Sequence, residues 1–495
     1  MTNVSEKSKL TTYGNIMNGK SVQAQDGAVS NSIDPSTAEV WALIPSSKKE
    51  DAEQVIQAAR GAFEDWANLP ARTRGDYMRK IGDMIPEYAA ELLELETRNN
   101  GWVLDEYGYL AEVLKQVWYD AAGAATLVGA QGRTVQMGTG DFGFTSRKPY
   151  GVVVGILPWN APLFTFTIKA AYALAAGNTV VIKPSESAAV GSLRYGELIS
   201  RILPPGVLNV ISGAGREIGD YLVSHKEVNK VSLTGSKATA ERITKATAHS
   251  PKSLIFELGG KSPNIVFEDA DIDQAVHGLI NGIFTPNSGQ ICVAGSRMLI
   301  QRSIYDEVVG RLQELMTNNE FVKHGDTLDT NNTMGPIANE AQFQSVCGFI
   351  DEASKEGYEV VFGGKYGGEA VLPGQPEFAD GYWVQPTLVK VADNSSKLAR
   401  EEIFGPVAVA IPFDTEDEAI QIANDTNFGL AAGVWTQNLS LAHRMIDKLQ
   451  AGNVWVNTYA RVGADLPFSG VKESGYGTDS ILDYTVEKAC VINIR

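Results

Sequence analysis

Cys292 is the residue whose type and surroundings most strongly suggest covalent chemistry. It lies in the segment SGQICVAGSR, where small residues on both sides let a bound molecule approach the backbone. A thiolate is a strong nucleophile, and it forms when a thiol with an ordinary pKa of about 8.5 has a base nearby or a lowered pKa. A lone cysteine is more often a buried, inert side chain, so the interpretation depends on the other residues of the site.

Two other segments contain the groups that such a nucleophile needs. Glu257 ends the apolar run SLIFE within FELGGKSPN, and a partly desolvated carboxylate there can act as a general base on water. Asn160 follows Pro158 in VGILPWNAPLF, and its amide can donate hydrogen bonds to a developing oxyanion. A solvated acid at a strand end and an asparagine in an ordinary turn are the alternative interpretations. In combination with Cys292, the two residues favour nucleophilic catalysis.

The segments around these residues predict an α/β fold with a parallel sheet. Between residues 150 and 270, the apolar runs YGVVVGILPW, NTVVIKP, GVLNVIS, KVSLTGS and SLIFELGG alternate with helical windows such as FTIKAAYALAAG. Short apolar runs without alternation are typical of strands that are covered on both faces. A second alternating block from Asp271 to about Asn457 predicts a second α/β domain. Ligands of such sheets bind beyond the carboxyl ends of the strands.

The flanking regions predict helices and a β arm. Apolar positions between Lys48 and Phe63 recur at helical spacing, and a second helical region extends to about Val128. Residues 131–149 are short, glycine-punctuated and partly alternating, which predicts a β-hairpin arm. The closing segment TVEKACVINI has strand character and can pair with this arm, in the same or another subunit.

Composition excludes several classes of partner. The formal net charge of -17 and the absence of a long Lys/Arg run argue against nucleic acid and anionic lipid. The opening segment MTNVSEKSKL lacks the apolar core of a signal peptide, so we expect a cytoplasmic protein. Cys292, Cys347 and Cys490 are too far apart in sequence to indicate a disulfide framework, and no His or Cys pair has metal-ligand spacing. We therefore expect no metal.

Eight motifs occur in the order seen in the aldehyde dehydrogenase superfamily, which this chain resembles over almost its whole length. They are PWN, KPSE, GAGREIG, LTGS, ELGGKSPN, GQIC, EEIFGP and PFSGVKESGYG. The resemblance implies the aldehyde dehydrogenase fold, with a Rossmann-like NAD-binding domain, an α/β catalytic domain and a β oligomerisation arm. The implied boundaries are 15–130 and 150–258 for the first, 259–480 for the second, and 131–149 with 481–495 for the arm. A homodimer or homotetramer is expected.

The resemblance also implies a hydrolytic, non-acylating mechanism. Cys292 would form a thiohemiacetal whose oxygen is held by the Asn160 side chain and the Cys292 backbone N–H. Hydride transfer would give a thioester, and Glu257 would activate the water that hydrolyses it. Lys169 matches a lysine that helps to relay the proton.

The implied cofactor is NAD, with NADP as the weaker one. Lys183 and Glu186 match a pair that holds the adenosine ribose, and a carboxylate there disfavours a 2′-phosphate. Gly235 and Ser236 would place the pyrophosphate at a helix N-terminus, and the nicotinamide ribose and ring would contact Glu402 and Phe404. The other expected cofactor contacts are Ile156, Trp159, Ser185, Gly213, Gly219, Thr234, Leu258 and Gly259.

Some local features depart from the expected patterns. Gly213, Gly215 and Gly219 are spaced G-x-G-x-x-x-G, which differs from the standard dinucleotide fingerprint. Ala240 and Ser469 stand where glycine is commoner in the family, and the loop before Cys292 is one residue longer than usual. These departures concern the shape of the pocket.

The expected substrate tunnel is mostly apolar. Its residues are Trp118, Ala161, Phe164, Thr165, Ile168, Ile291, Val293, Arg461, Val462 and Phe468. Such a lining suits a medium-sized apolar or aromatic aldehyde. Ala161 stands where a bulky aromatic residue is common in the family and would widen the tunnel.

Two alternatives remain open at this point. Arg461 can pair with a carboxylate on the substrate, which would indicate a semialdehyde dehydrogenase. A solvated surface arginine is an equally good interpretation, and Glu112 can neutralise the charge. The other alternative is a non-catalytic structural or binding member of the fold, but this would leave the joint presence of Cys292, Glu257 and Asn160 without a purpose.

Overall fold

The computed structural model describes residues 10–138, 140–318, 321–463 and 466–493, with only the backbone of Tyr107. Residues 1–9, on which we expect no signal peptide, lie outside this part. So do residue 139 and residues 494–495 of the predicted arm, together with residues 319–320 and 464–465. No helix in the described part combines the length and apolar character needed to cross a membrane.

Helices form in the predicted helical segments and also in further segments of the described residues. They are α1 (Lys49–Asn68), α2 (Ala71–Asn100), α3 (Leu104–Tyr107), α4 (Leu110–Leu127), α5 (Pro162–Ala176), α6 (Val190–Ser200), α7 (Asp220–Ser224), α8 (Lys237–Thr247), α9 (Ile272–Asn281), α10 (Tyr305–Thr317), α11 (Glu340–Lys355), α12 (Gly368–Val371), α13 (Lys397–Arg400), α14 (Glu416–Asn424) and α15 (Leu439–Lys448). The predicted second helical region is divided, because Gly101 adopts a left-handed conformation with φ of 82° that ends α2.

The strands of the described residues form four sheets. They are β1 (Thr11–Thr12), β2 (Asn15–Met17), β3 (Lys20–Val22), β4 (Val29–Asp34), β5 (Glu39–Pro45), β6 (Thr134–Gln136), β7 (Asp141–Pro149), β8 (Val152–Ile156), β9 (Thr179–Lys183), β10 (Leu208–Val210), β11 (Val228–Thr234), β12 (Ser253–Glu257), β13 (Pro263–Val266), β14 (Arg297–Gln301), β15 (Glu359–Phe362), β16 (Thr387–Lys390), β17 (Val407–Phe413), β18 (Ala431–Trp435), β19 (Asn453–Val456), β20 (Gly475–Tyr476) and β21 (Thr485–Asn493).

The first large sheet confirms the predicted parallel arrangement. Its order is β20-β12-β11-β8-β9-β10-β2-β3, and strands β8 to β12 are parallel. In this register Ile156 pairs with Lys183, and Thr234 pairs with Glu257. Because parallel strands end at the same edge of a sheet, these four residues lie along one edge.

The C-terminal region contributes one strand to this first sheet. Strand β20 pairs antiparallel with β12, so a segment inside the expected catalytic domain, 259–480, completes the sheet of the other domain. The pairing covers the outer edge of β12, which would otherwise expose unpaired backbone groups.

The second large sheet confirms the predicted second α/β unit. Its order is β15-β16-β17-β14-β13-β18-β19, and all neighbours except β15 and β16 are parallel. The sheet is covered on both faces, because buried side chains of β13, β14, β17 and β18 enter two separate apolar clusters. Strands that are covered on both faces contain continuous apolar stretches, such as MLI within RMLIQ and the whole of VAVAIPF.

The predicted arm is a three-stranded antiparallel sheet of order β21-β7-β6. Strand β21 pairs with β7 along nine residues of each strand within the same chain. The predicted pairing of the closing segment with the arm is therefore present inside one subunit, and exchange between subunits stays a prediction. A further small sheet has the order β1-β5-β4.

Gly278 is a position where the fold depends on a missing side chain. A Cβ added there would overlap the ring of Trp435, whose Nε1 donates to Asn264 Oδ1 at 2.7 Å. We expect Gly278→Ala to destabilise the protein by about 1–3 kcal/mol, measured by thermal and denaturant unfolding, since overpacking displaces buried groups. Gly310→Ala, on an exposed face of α10 with open space around it, is the control and should stabilise slightly. Equal effects of the two substitutions would contradict this packing argument.

Candidate active site

A cavity of about 1850 Å³ opens at the carboxyl ends of the first sheet's strands. Ile156, Lys183, Thr234 and Glu257, which end four of those strands, line it together with Cys292. Cys292 comes from the connection between α9 and β14, which belong to the second large sheet and its helices. The cavity therefore draws its wall from both large sheets, as expected for ligand sites of α/β folds.

The surroundings of Cys292 favour its protonated thiol form. Burial raises the pKa of its thiol to about 12, with the carboxyl groups of Glu257 and Glu402 adding to the increase. The backbone N–H groups of Cys292 and Val293 act in the opposite direction. A thiol in this environment needs a base or a nearby positive charge before it becomes a nucleophile.

Glu257 is a buried carboxyl group that faces the cavity. Within the described residues, neither of its side-chain oxygens has a hydrogen-bond partner. Burial raises the pKa of Glu257 to about 9; the charge of Asp479 adds to the increase and that of Lys169 opposes it. Both oxygens of this carboxyl group are available to a ligand. Its raised pKa makes its ionised form a stronger base, which can take a proton from a weak acid such as water.

The Asn160 amide has a defined orientation beside the nucleophile's segment. Its Nδ2 donates to the main-chain carbonyl oxygen of Gln290 at 2.7 Å, and the main-chain carbonyl oxygen of Asn160 accepts from Asn287 Nδ2 at 3.0 Å. An amide nitrogen carries two hydrogens, so one N–H remains for a ligand. Asn160 is 8% exposed, which strengthens a hydrogen bond to a developing negative charge.

Two glycines after Glu257 allow the site to close. A Cβ on Gly259 would overlap the carboxylate of Glu402, and a Cβ on Gly260 would lie 2.7 Å from the carbonyl oxygen of Cys292. The backbone N–H of Gly260 also donates to Glu402 Oε1 at 2.9 Å. The two glycines of ELGG are therefore required, because the segments of Glu402 and Cys292 pack closely against the chain after β12.

A buried polar network lies behind Glu257. Lys169 Nζ donates to Ser232 Oγ at 2.7 Å and to Asp479 Oδ2 at 2.8 Å. Asp479 Oδ1 also accepts hydrogen bonds from Ser232 and Tyr484. Because the ammonium and the carboxylate are paired and hydrogen-bonded, the buried charges are compensated.

The cofactor half of the cavity presents groups that suit a dinucleotide. Lys183 Nζ lies 3.6 Å from Glu186 Oε2, a half-exposed carboxylate at the cavity wall. Ser236 caps α8 by accepting from the N–H of Thr239, and a helix start favours an anion. Among the described residues, no cluster of three or more His, Cys, Asp or Glu side chains is suited to a metal.

Further along the same wall, two aromatic residues are in contact. The rings of Trp159 and Phe404 meet edge to face with centroids 5.2 Å apart. Phe404 has a φ of 54°, a region that a bulky residue occupies only when its surroundings hold it there. Burial raises the pKa of the neighbouring Glu402 to about 7, while the Gly260 N–H and Lys261 lower it.

The structure brings most of the predicted residues to this cavity. The predicted catalytic residues Cys292, Glu257, Asn160 and Lys169 all line it. All predicted cofactor contacts line it as well: Ile156, Trp159, Lys183, Ser185, Glu186, Gly213, Gly219, Thr234, Gly235, Ser236, Leu258, Gly259, Glu402 and Phe404. From the expected tunnel, it is lined by Ala161, Phe164, Thr165, Ile168, Ile291, Val293, Val462 and Phe468. The positions agree with the predictions, and the roles stay predictions.

Trp118 and Arg461 lie elsewhere, which corrects their expected positions. Trp118 is fully buried in the core of the first unit, where its Nε1 donates to Tyr195 Oη at 2.6 Å. Its neighbour Val117 lines the cavity instead, because consecutive helical residues point about 100° apart. Arg461 is exposed and does not line the cavity, and Glu112 is paired with Lys115 at 3.4 Å.

Several residues that organise the site were not predicted from the sequence. Asp479 follows the motif ESGYG, and Gln290 lies inside the motif GQIC, so both were close to recognised segments. Ser232 lies in the middle of β11, and Glu106 lies on α3, far from any motif. Alternation along β11 could have indicated that Ser232 shares a face with Thr234, whereas no sequence signal pointed to Glu106.

Comparison with known proteins agrees with this geometry. A family model described as the aldehyde dehydrogenase family matches residues 22–493. The chain belongs to the aldehyde dehydrogenase family. It is 39% identical over 467 residues to a betaine aldehyde dehydrogenase of Rhizobium etli, covering 94% of this chain and 93% of the relative. It is 37% identical over 477 residues to aldehyde dehydrogenase 1 of Tanacetum cinerariifolium, covering 94% and 91%.

Solved structures show that this aldehyde dehydrogenase has the family's fold. Betaine aldehyde dehydrogenase of Staphylococcus aureus, solved with NAD+, has a TM-score of 0.92 at 36% identity, covering 97% of this chain and 94% of that one. PnpE in complex with nicotinamide adenine dinucleotide also has a TM-score of 0.92 at 36% identity, covering 97% of both chains. The expected family and fold class are confirmed.

The raised pKa of Glu257 has a consequence for the stability of this aldehyde dehydrogenase. The folded-state pKa of about 9 exceeds the ordinary value of 4.5, so the stability associated with the neutral carboxyl group is complete below about pH 4.5. It is lost progressively as the pH rises towards 9. We expect Glu257→Gln to be more stable than the wild type at about pH 8, with an advantage that grows by at most ~1.4 kcal/mol per pH unit.

Thermal unfolding between about pH 5 and about pH 8 would measure this effect. Glu87→Gln, which changes an exposed acid on α2, is the matched control and should show no such trend. An advantage of Glu257→Gln that stays constant with pH would show that Glu257 does not titrate as the structure indicates.

Proposed function

We propose that the protein oxidises an aldehyde to the carboxylic acid with NAD, by way of a thiohemiacetal and a thioester on Cys292. The observation that carries this proposal is the convergence of Cys292, Glu257 and Asn160 on one cavity that also presents the dinucleotide-type groups. The family relation and the NAD complexes of related structures support it. A non-catalytic role would give no reason for an unpartnered, buried Glu257 beside a cysteine.

The groups along the cavity wall fit NAD. Lys183 and Glu186 would hold the adenosine ribose, because a carboxylate accepts hydrogen bonds from ribose hydroxyl groups. The start of α8 at Gly235 and Ser236 would hold the pyrophosphate. Glu402 and Phe404 would contact the nicotinamide ribose and ring. When bound, NAD supplies the acceptor for the hydride that leaves the thiohemiacetal carbon.

The first chemical step is attack of Cys292 Sγ on the aldehyde carbon. The thiol proton leaves to the ionised carboxylate of Glu257, which passes it on to solvent, and the carbonyl oxygen gains negative charge. The free N–H of Asn160 Nδ2 and the Cys292 backbone N–H stabilise this oxygen, which is the main contribution that preorganised donors make to such a barrier. Loss of the hydride then leaves a thioester on Cys292.

Hydrolysis of the thioester depends on Glu257. Once Glu257 has lost its own proton, its carboxylate takes a proton from water, the resulting hydroxide attacks the thioester carbon, and the Cys292 sulfur leaves and regains a proton. The charges of Lys169 and Asp479 both act on Glu257. Lys169 lowers the pKa of Glu257, and Asp479 raises it. We propose that Lys169 assists the return of the proton to solvent.

We propose a medium-sized apolar or aromatic aldehyde as the substrate. The predicted tunnel residues that line the cavity with Cys292 and Asn160 are all apolar except Thr165: Ala161, Phe164, Ile168, Ile291, Val293, Val462 and Phe468. A small residue at position 161 leaves room for a ring. No observation favours the semialdehyde alternative, because Arg461 is exposed and absent from the cavity wall.

We propose the same domain organisation that the sequence suggested. Residues 15–130 and 150–258 would bind NAD, residues 259–480 would carry the nucleophile, and residues 131–149 with 481–495 would form the oligomerisation arm. The nine-residue pairing of β7 with β21 supports the arm. A homodimer or homotetramer in the cytoplasm is the proposed state.

Formation of NADH by the purified protein tests the proposed reaction. Aliphatic, aromatic, acidic and cationic aldehydes would be compared by absorbance, with the acid product identified by mass spectrometry. We expect turnover to be highest with apolar or aromatic aldehydes and to be lost in Cys292→Ala, because Cys292 is the only cysteine among the described residues that line the cavity. Cys490→Ala, on β21, is the matched control and should keep activity. NADH formation that survives Cys292→Ala would overturn the mechanism.

The preference for NAD over NADP is tested at Glu186. We expect Glu186→Gln to lower the ratio of kcat/KM for NAD to that for NADP by about tenfold, since repulsion of a 2′-phosphate is removed. Glu241→Gln, an exposed acid on α8, should leave the ratio unchanged. An unchanged ratio in Glu186→Gln would mean that the carboxylate does not face the ribose.

A further inference from the structure

The segment before the nucleophile is a left-handed turn. Asn287, Ser288 and Gly289 have φ angles of 45°, 52° and 74°, so three consecutive residues lie in the region that favours glycine. Two of the three carry side chains, for which this conformation is disfavoured. The turn ends three residues before Cys292. Something must hold the chain in this shape.

Buried hydrogen bonds hold the turn. Asn287 and Ser288 are 2% and 1% exposed. Ser288 Oγ donates to the carbonyl oxygen of Gly335 at 2.7 Å, and Gln290 Nε2 donates to the carbonyl oxygen of Asn287 at 2.9 Å. Such bonds are strong because water does not compete for these groups.

One carboxylate binds the backbone of the turn. Glu106 Oε2 accepts from the backbone N–H of Asn287 at 3.1 Å. Burial raises the pKa of Glu106 to about 8, and the Asn287 N–H opposes this rise. Glu106 does not line the cavity, so it touches neither substrate nor cofactor there. Its carboxyl group is directed at the turn, and this contact is not used by the mechanism described above.

The turn connects Glu106 with the Asn160 amide. Asn287 Nδ2 donates to the main-chain carbonyl oxygen of Asn160 at 3.0 Å, and Asn160 Nδ2 donates to the main-chain carbonyl oxygen of Gln290 at 2.7 Å. The main chain and the side-chain amide of Asn160 are therefore both bonded to the segment that Glu106 holds. A shift of the turn would change the direction of the remaining Asn160 N–H and the position of Cys292 together.

We propose that Glu106 is a positioning residue for the site: its carboxyl group holds the left-handed turn at Asn287, and through this turn it orients the Asn160 amide and Cys292. The effect on turnover rests on the proposed function, whereas the effect on the Cys292 thiol does not. Small displacements of reacting groups cost large factors in rate, so a role in positioning predicts a loss in kcat.

Turnover of substitutions at Glu106 gives the first test. We expect Glu106→Ala to lower kcat by at least about tenfold and to change KM for NAD by less than about twofold. Glu106→Gln keeps an oxygen that can accept from the Asn287 N–H, so it should retain most of the wild-type kcat. Asp105→Ala, at the exposed neighbouring residue on α3, is the matched control and should behave as the wild type.

Alkylation of Cys292 gives a second test that needs no aldehyde. Iodoacetamide labelling, followed on the Cys292 peptide by mass spectrometry, reports the exposure and ionisation of the thiol. We expect at least about threefold faster labelling in Glu106→Ala than in the wild type, because a released loop exposes the thiol and lowers its pKa. If the wild type proves inactive towards every aldehyde, this readout still decides the positioning role.

Glu106→Gln provides a test of the positioning role even if Glu106→Ala fails to fold. Glu106→Gln preserves size and hydrogen bonding, so circular dichroism and thermal unfolding should show a native protein with kcat and labelling close to the wild type. Equal losses in Glu106→Gln and Glu106→Ala would overturn the proposal, and so would wild-type kcat and labelling in a folded Glu106→Ala.

Discussion

Reciprocal hydrogen bonds between Asn160 and the loop of Cys292 join the two halves of the site. Asn160 follows β8 of the first large sheet, and Gln290 and Asn287 precede β14 of the second. The bonds are 2.7 Å and 3.0 Å long and are buried, so they define the relative position of amide and thiol without competition from water. The position of the nucleophile relative to the Asn160 amide depends on this connection.

The resting site keeps its reacting groups neutral. Burial raises the pKa of Cys292 to about 12 and that of Glu257 to about 9, because a buried anion lacks the stabilisation that water provides. The charges that remain buried nearby, on Lys169 and Asp479, are paired at 2.8 Å. The reacting groups of the aldehyde dehydrogenase site are thus favoured in their neutral forms before the reaction. Preorganised N–H donors then stabilise the negative charge that develops on the substrate oxygen.

Agreement between sequence and structure is closest where strands end. Glu257 and Lys183 could be placed at one edge because apolar runs predict parallel strands, whose carboxyl ends align. Trp118 shows the limit of the same reasoning on a helix: an error of one position turns a side chain by about 100°, from the cavity into the core. Glu106 was not predicted, since its partner is a backbone N–H that lies 181 residues away in the chain.

The sequence by itself determined the family, the alternation of strands and helices around the site, and the types of reacting group, because these follow from local patterns and from motifs in a recognisable order. Only the tertiary structure decided which groups are buried, which are paired and which face the cavity. The unpartnered oxygens of Glu257, the Lys169–Asp479 pair and the left-handed turn before Cys292 all arise from contacts between distant segments. Burial and long-range contact depend on how the segments pack, and no local pattern contains that information.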